Sequence, residues 1–300
     1  MSLHDGSLSG LLSRAAENRP LPDGGIILAG TPLGDPFDAS LRLIDALGSA
    51  DVIAAEDTRR TRALAETLGV KITGQIVSNF DHNEESRAPS LVEHARTGKR
   101  VLIVTDAGMP SVSDPGFPVV FAAHESGVPV TCLPGPSAVP TALALSGIGM
   151  GHFAFVGFAP RKDGARRSWF REFFGDATHA TCFFESPHRI ASTLKLAAEE
   201  LGEQRDAAVC RELTKTFEEV KRGTLGELAE WASGGVRGEI SVVIGPASEE
   251  SAADPAAVVG EVEQRVAGGE RLKAAAGEVA RAHGLSKRDV YEAVLASRAG

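Results

Sequence analysis

Residues 106–116 read DAGMPSVSDPG and come directly after the apolar run VLIVT (101–105). Two aspartates, two serines, two prolines and two glycines crowd into these eleven positions. Gly108 permits close backbone approach to a ligand, and Pro110 stiffens the residues after it. Asp114-Pro115 fits a helix N-cap and first helical position, so a helix is expected from there. A capped turn accounts for 114–116 but not for 106–113, and ligand contact is the expectation for that stretch. Similar polar or turn-forming groups recur at Gly30–Asp35 (GTPLGD), Glu56–Arg59, Asp81–Glu84 (DHNE), Pro134–Ser137 (PGPS), Glu185–Arg189 (ESPHR) and Arg211–Lys215 (RELTK). Hard ligands cluster in DHNE, but Asn83 reads as a helix cap there and no metal is expected. Two arginine-rich stretches, DTRRTR (57–62) and RKDGARRSWFR (161–171), offer phosphate or RNA contacts; a solvated helix face is the plainer meaning of each.

These groups need a scaffold that brings them to one edge. From residue 25, short apolar runs alternate with amphipathic ones: GIILAG then 37–48, DVIAAE then 58–68, QIVSNF then 84–97, RVLIVT then 115–126, PVTCLP then 136–146. This alternation predicts βα units around a parallel sheet, whose ligands lie beyond the carboxyl ends of the strands. A glycine-rich seam, LSGIGMGH (145–152), separates a second pattern. Strands are expected at 152–158, 179–185, 206–213, 217–223 and 239–245, with helices at 164–174, 187–201 and 225–232. Two of these strands are joined by only a few residues, which predicts a mixed sheet. The expected organisation is a disordered leader over 1–24, an N-terminal α/β domain over 25–148, a C-terminal α/β domain over 149–246, a polar linker, and a helical tail over 257–300. Within that tail two helices meet at His283–Leu285 with Ser286 as cap, a helix-turn-helix shape, although a small helical hairpin used for packing is the more common meaning of such a pattern.

Composition bounds the function. The chain of 300 residues carries a formal net charge of −9, which argues against a protein that coats nucleic acid non-specifically. No apolar run is long enough to cross a bilayer, and the first residues lack a signal peptide's basic start and apolar core. Cys132, Cys182 and Cys210 lie far apart in strand-like runs, which predicts buried, reduced thiols and a cytoplasmic protein. GTPLGD lacks the glycine spacing of the dinucleotide fingerprint, and no phosphate-binding loop motif occurs, which disfavours a nucleotide-dependent oxidoreductase.

The segments GTPLGD, AAEDTRRT, DHNEES, TDAGMPSVSDPG, LPGPSA, FFESPHR, CRELTKTFEE and GEISVVI occur in order over about residues 25 to 246. In these the chain resembles the tetrapyrrole-methylase-fold methyltransferases, and within them the branch that methylates the ribose 2′-oxygen of a cytidine in 16S ribosomal RNA. The tail resembles the helix-turn-helix segment that ends many members. Met109 departs from the pattern, which usually has threonine there. The resemblance implies S-adenosyl-L-methionine bound between two domains, a homodimer, and the small ribosomal subunit or its RNA as partner. By position in the motifs it places cofactor contact on Pro32, Asp106, Gly108, Met109, Ser137 and Ala138, and on Phe184, Glu185 and Leu213 from the second domain.

Methyl transfer to a ribose hydroxyl gains from a positioned base, for which Asp57, His82 and Glu185 are the candidates. Each also has a structural reading: Asp57 pairing with Arg59 or Arg60, His82 bonding a loop backbone, Glu185 bracing Ser186. RNA is expected to meet Arg59, Arg60 and Arg62 near the reaction centre, with 161–171 and the tail gripping it farther away. The same residues leave room for two rivals. A small-molecule, tetrapyrrole-type methylase would share fold and cofactor without needing the basic clusters or the tail. A DNA-binding regulator built on the tail would need a basic recognition helix, yet RDVYEAVLASRAG is as apolar as it is basic.

Overall fold

The computed structural model describes residues 8–149, 151–247, 255–283 and 285–299. The first half is a five-stranded sheet of β1 (Ile26–Ala29), β2 (Val52–Ala55), β3 (Gln75–Ser78), β4 (Val101–Val104) and β5 (Val130–Leu133), in the order β3-β2-β4-β1-β5. Every pairing is parallel. β2 and β4 are buried along their whole length, as strands covered on both faces must be. One face packs Leu43, Ala46 and Leu47 of α2 (Leu41–Ser49) onto Ile27, Ile53 and Leu102. The other packs α4 (Glu84–Arg96) and α5 (Phe117–Glu125) through Leu91, Val92, Val119 and Ala123 onto Ile26, Val52 and Ile103. The connection leaving β1 therefore turns to one face and that leaving β4 to the other. They part between adjacent strands and open a crevice at the sheet's carboxyl edge.

The second sheet has the order β6-β7-β10-β8-β9, from β6 (Phe153–Phe158), β7 (Ala180–Glu185), β8 (Asp206–Arg211), β9 (Glu219–Thr224) and β10 (Ile240–Ile244). β6 runs parallel to β7 and the other pairs are antiparallel, so the sheet is mixed as expected. Helices α7 (Asp163–Phe174), α8 (Ile190–Leu201) and α9 (Leu225–Ser233) cover one face over an aromatic core of Trp169, Phe170, Phe174 and Phe183. The opposite face is covered by α6 (Ala138–Ser146), the helix that comes after β5. Its Val139 and Ala142 pack on Cys182, Ala208, Cys210 and Val243. Cys182 and Cys210 are free thiols, and burial pushes them up to about 12 and about 11, so both stay protonated inside the core.

Two expectations change. Within the stretch read as a disordered leader, Leu8–Asn18 form α1, and Leu21 enters the first core. Arg100 ties this segment down through Asp23 at 2.7 Å. Asp114-Pro115 does not start a helix: α5 begins at Phe117, its N-cap is Gly116 at φ 143°, and Pro118 takes the early helical position. The tail holds α10 (Val259–Ala267), α11 (Leu272–Ala282) and α12 (Lys287–Ala299) around its own core of Val262, Ala275, Val279, Val290 and Val294. Gly284, in the expected turn, lies outside the described residues, whereas Ser286 Oγ accepts from Asp289 N at 3.5 Å.

Candidate active site

The crevice of the first sheet faces the second domain across a cavity of about 420 Å³. Its floor is knitted from the loops after β1 and β4: Thr31 and Gly108 exchange backbone hydrogen bonds of 2.9 and 3.1 Å, and Thr31 Oγ1 donates to the Thr105 carbonyl at 3.1 Å. A Cβ at Gly30 would lie 2.8 Å from Gly135 Cα as well as 2.7 Å from Met109 Sδ, so the close backbone approach of the loops after β1 and β5 requires glycine there.

Backbone strain gathers around this cavity. Among the described residues four non-glycines have left-handed φ: Ser111 (68°), Ser113 (63°), Glu212 (52°) and Thr214 (61°). Each costs about 1–3 kcal/mol and persists only where its surroundings fix it. They come as two pairs, each flanking one apolar residue, Val112 in the first domain and Leu213 in the second. Both flanked residues line the cavity and join the core that α6 shares with the second sheet. The strain thus aims one aliphatic side chain inward from each domain. Asp35 N donates to Thr214 Oγ1 at 3.1 Å, and a Cβ at Gly34 would meet Lys215 Cγ at 2.2 Å, so the loops of the two domains touch at the cavity's edge.

Of the residues expected at the site, Asp106, Gly108, Met109, Ser137, Ala138, Phe184, Glu185 and Leu213 line this one cavity. Pro32 lines a neighbouring hollow of about 230 Å³, which shares Leu33, Arg60 and Asp106 with the first. Asp57 and His82 fall outside the cavity wall. Asp57 caps α3 (Thr58–Thr67); its carboxylate accepts from Arg59 N at 2.8 Å and pairs with the Arg59 guanidinium at 2.7 Å. That side-chain pairing holds Asp57 far below the usual carboxylate range. His82 is exposed, edge-on to Phe80. Next to it Asn83 holds the N-cap position of α4, but its Oδ1 accepts from Phe80 N at 2.8 Å instead of capping the helix.

Glu185 is buried and fully engaged. Its oxygens accept from Ser186 N at 2.7 Å, from Thr193 Oγ1 and from Arg189, and Arg166 stands 3.9 Å away. Within 161–171, expected to grip RNA, most of the arginines are engaged inside the domain. Arg166 is 2% exposed and bound to Thr193 and Asp163. Arg167 is clasped by Glu199 and Glu200, Arg171 also by Glu200, and Trp169 and Phe170 are core residues. Arg161 and Lys162 are exposed.

Sequence reasoning missed the acidity of the wall. Glu56 accepts from Asp106 N at 3.0 Å, and burial together with Asp106 and Asp81 raises its pKa. Asp106 accepts from Asp57 N at 3.0 Å and pairs with Arg60 at 3.3 Å. Asp114, read as a helix cap, lines the cavity instead, and burial with the charges of Glu56, Asp81, Asp106 and Glu239 pushes it up to about 7. The Asp-Pro dipeptide points equally to a cap; only the left-handed Ser111 and Ser113, which no sequence signal marks, turn it inward. A partly open, carboxylate-rich wall with apolar residues beside it suits a cationic, partly apolar ligand.

Residues 25–229 match the family described as tetrapyrrole (corrin/porphyrin) methylases, and residues 252–298 match the RsmI C-terminal HTH domain. The chain is 52% identical over 279 residues to ribosomal RNA small subunit methyltransferase I of Mycobacterium tuberculosis, covering 93% of this chain and 97% of that one. The protein of the same name from Halalkalibacterium halodurans is 39% identical, covering 89% and 93%. Among solved structures, uroporphyrin-III C-methyltransferase from Thermus thermophilus complexed with S-adenosylhomocysteine superimposes with a TM-score of 0.53 at 23% identity, over 74% of this chain and 97% of that one. The cobalt precorrin-4 methyltransferase CbiF gives 0.53 at 19%, over 76% and 98%. At such identities these two report the fold.

Proposed function

Since the chain belongs to the tetrapyrrole methylase family, we propose that it transfers the methyl group of S-adenosylmethionine to the ribose 2′-oxygen of a cytidine in the 16S RNA of the small ribosomal subunit. The observation that carries this is the 52% identity, over nearly the full length of both chains, to proteins named for small-subunit RNA methylation. The cytidine and the ribose oxygen rest on the motif resemblance.

S-adenosylmethionine supplies an activated methyl group on a cationic sulfur. The chain's task is alignment and field. Leu33, Met109, Val112, Ala138, Phe184 and Leu213 give an apolar bed, and the carboxylates of Glu56, Asp106 and Asp114 face it. This donor set fits a sulfonium and an ammonium. Arg60 stands on the wall shared by the two hollows, and Arg59 and Arg62 extend the positive face outward along α3. This arrangement favours an entering strand whose phosphates lie beside the cavity. The tail supplies a second hold on RNA. The homodimer and cytoplasmic location also belong to the proposal; no described helix is long and apolar enough to cross a membrane.

The test incubates the protein with labelled S-adenosylmethionine and small ribosomal subunits lacking the modification, then digests the RNA to nucleosides. Label in 2′-O-methylcytidine is the expected result. Cofactor binding without labelled RNA would overturn the RNA reading in favour of a small-molecule methylase.

A further inference from the structure

We propose that the Asp114 carboxylate accepts the proton of the hydroxyl that attacks the methyl group. The assignment rests on the proposed methyl transfer to RNA. Its first support is position. Asp114 lines the same cavity as Asp106, Gly108, Ser137, Phe184 and Leu213. Its loop is held by the left-handed Ser111 and Ser113 and by Gly116 N donating to Glu84 at 2.8 Å.

The second support is availability. Four other carboxylates line the cavity, and each is already engaged. Glu56 accepts from Asp106 N, and Asp106 holds Asp57 N and Arg60. Glu185 is bound by Ser186 N, Thr193 and Arg189, and Glu239 by Lys215 at 3.0 Å. Among the described residues Asp114 has neither a hydrogen bond nor an ion pair. The candidates read from sequence are set aside by the same criterion: Asp57 is paired and off the wall, His82 is exposed and off the wall, and Glu185 is engaged by Ser186 N, Thr193 and Arg189.

Electrostatics agrees. Glu56, Asp81, Asp106 and Glu239 all oppose ionisation of Asp114, and burial opposes it more. Glu84 adds a further carboxylate at the loop's end. Arg60, the one basic side chain of the wall, is taken by Asp106, and Lys215 by Glu212 and Glu239. A carboxylate poised at about 7 is half-ionised at neutral pH and basic enough to draw a proton from an alcohol as it reacts.

In the step, a lone pair of the hydroxyl oxygen forms the new O–C bond. The C–S bond breaks with its electron pair left on sulfur. The hydroxyl proton passes to Asp114 and from there to water. A carboxylate and a sulfonium become a carboxylic acid and a neutral thioether, so the site's net charge does not change while both charges disappear from a poorly solvated cavity.

The experiment compares wild type, Asp114→Asn and Asp114→Glu. It measures single-turnover methyl transfer to unmodified small subunits from mildly acid to mildly alkaline pH, S-adenosylmethionine affinity by calorimetry, and thermal unfolding of the cofactor-free proteins over the same range. The wild-type rate is expected to rise with pH through a single midpoint, lying below the value of about 7 held by the cofactor-free carboxyl because the bound sulfonium favours its ionised form. Asp114→Asn should bind the cofactor, transfer methyl about 10²–10⁴-fold more slowly, and lose the midpoint. Asp114→Glu should recover part of the rate together with a midpoint. In the cofactor-free protein, a raised carboxyl pKa means that ionisation opposes folding. Asp114→Asn should therefore unfold at higher temperature than wild type above pH 7, and the difference should close as pH falls towards the ordinary aspartate value. An Asp114→Asn enzyme with the wild-type rate and midpoint, or a stability difference independent of pH, overturns the assignment alone. A wild type that binds cofactor yet labels no RNA overturns the RNA reading, and this role with it.

Discussion

The two arginine-rich stretches, DTRRTR and RKDGARRSWFR, look alike in sequence and end in opposite places. In α3 the core face is Thr61 and Ala65, so Arg59, Arg60 and Arg62 are left on the open side beside the cavity. In α7 the core face is Arg166, Phe170 and Phe174, spaced four residues apart, so the first arginine is carried into the interior with the aromatics. Arg167 and Arg171 repeat that spacing one position on, and they meet Glu199 and Glu200 of α8. Charge density gives no warning of this. Helical register relative to the apolar stripe decides which arginines reach solvent.

The sharpest break in that contrast is Arg166→Ala. It strands Glu185 as a buried carboxylate that has lost part of its compensation, and should cost about 3–5 kcal/mol in denaturant unfolding. Retained stability would mean that the α7 arginines are surface groups after all. The next effect is catalytic. Arg60→Glu should leave the fold intact and lower methyl transfer to RNA by roughly tenfold or more, with a shallower salt dependence of RNA binding. A smaller change concerns pH. Glu200 is held below its ordinary value, chiefly by Arg171 and then Arg167. Its contribution is present above about 4.5 and is lost as pH falls through the lowered value. Arg171→Gln should therefore raise the acid unfolding midpoint slightly, by less than Arg166→Ala does. Smallest is Arg59→Ala, since Arg59 is 87% exposed and, among the described residues, pairs only with Asp57. Its unfolding curve should overlay the wild type, and only RNA affinity should shift.

Strands and helices were legible because their signals are local. Apolar runs such as VLIVT and ISVVI, bounded by charged or turn-forming residues, are long enough to be buried and too short to be helices, and each became a strand. The cavity was legible too, because strand ends in an open α/β sheet converge whatever their detail. The features that escaped reading depend on contacts made after folding. Asp114 faces the cavity through two left-handed serines, which a side-chain pattern does not encode. Glu185 is silenced by Thr193 and Arg189 on the next helix and by Arg166 on another. Asp57 could be judged in advance only as a base or as a partner of Arg59 or Arg60; it pairs with Arg59 and also sits at the N-cap of α3, which the sequence reading did not foresee.

The placement of α6 has an architectural consequence. By chain order it closes the first half, yet its apolar side is buried on the second sheet. The glycine-rich stretch after it is packed as well: a Cβ at Gly149 would lie 2.7 Å from that of Ala180. A polypeptide divided at this stretch would leave one piece displaying an orphaned greasy helix and the other a bare sheet face, and neither should survive alone. The natural joint lies earlier, at Pro134–Pro136 between β5 and α6, where the chain crosses from one sheet to the other. Ser137 and Ala138 belong to the far side of that joint. The ligand bed is thus assembled from both halves by a borrowed helix, and shifts of the two sheets relative to each other would be felt first where the donor is expected to lie.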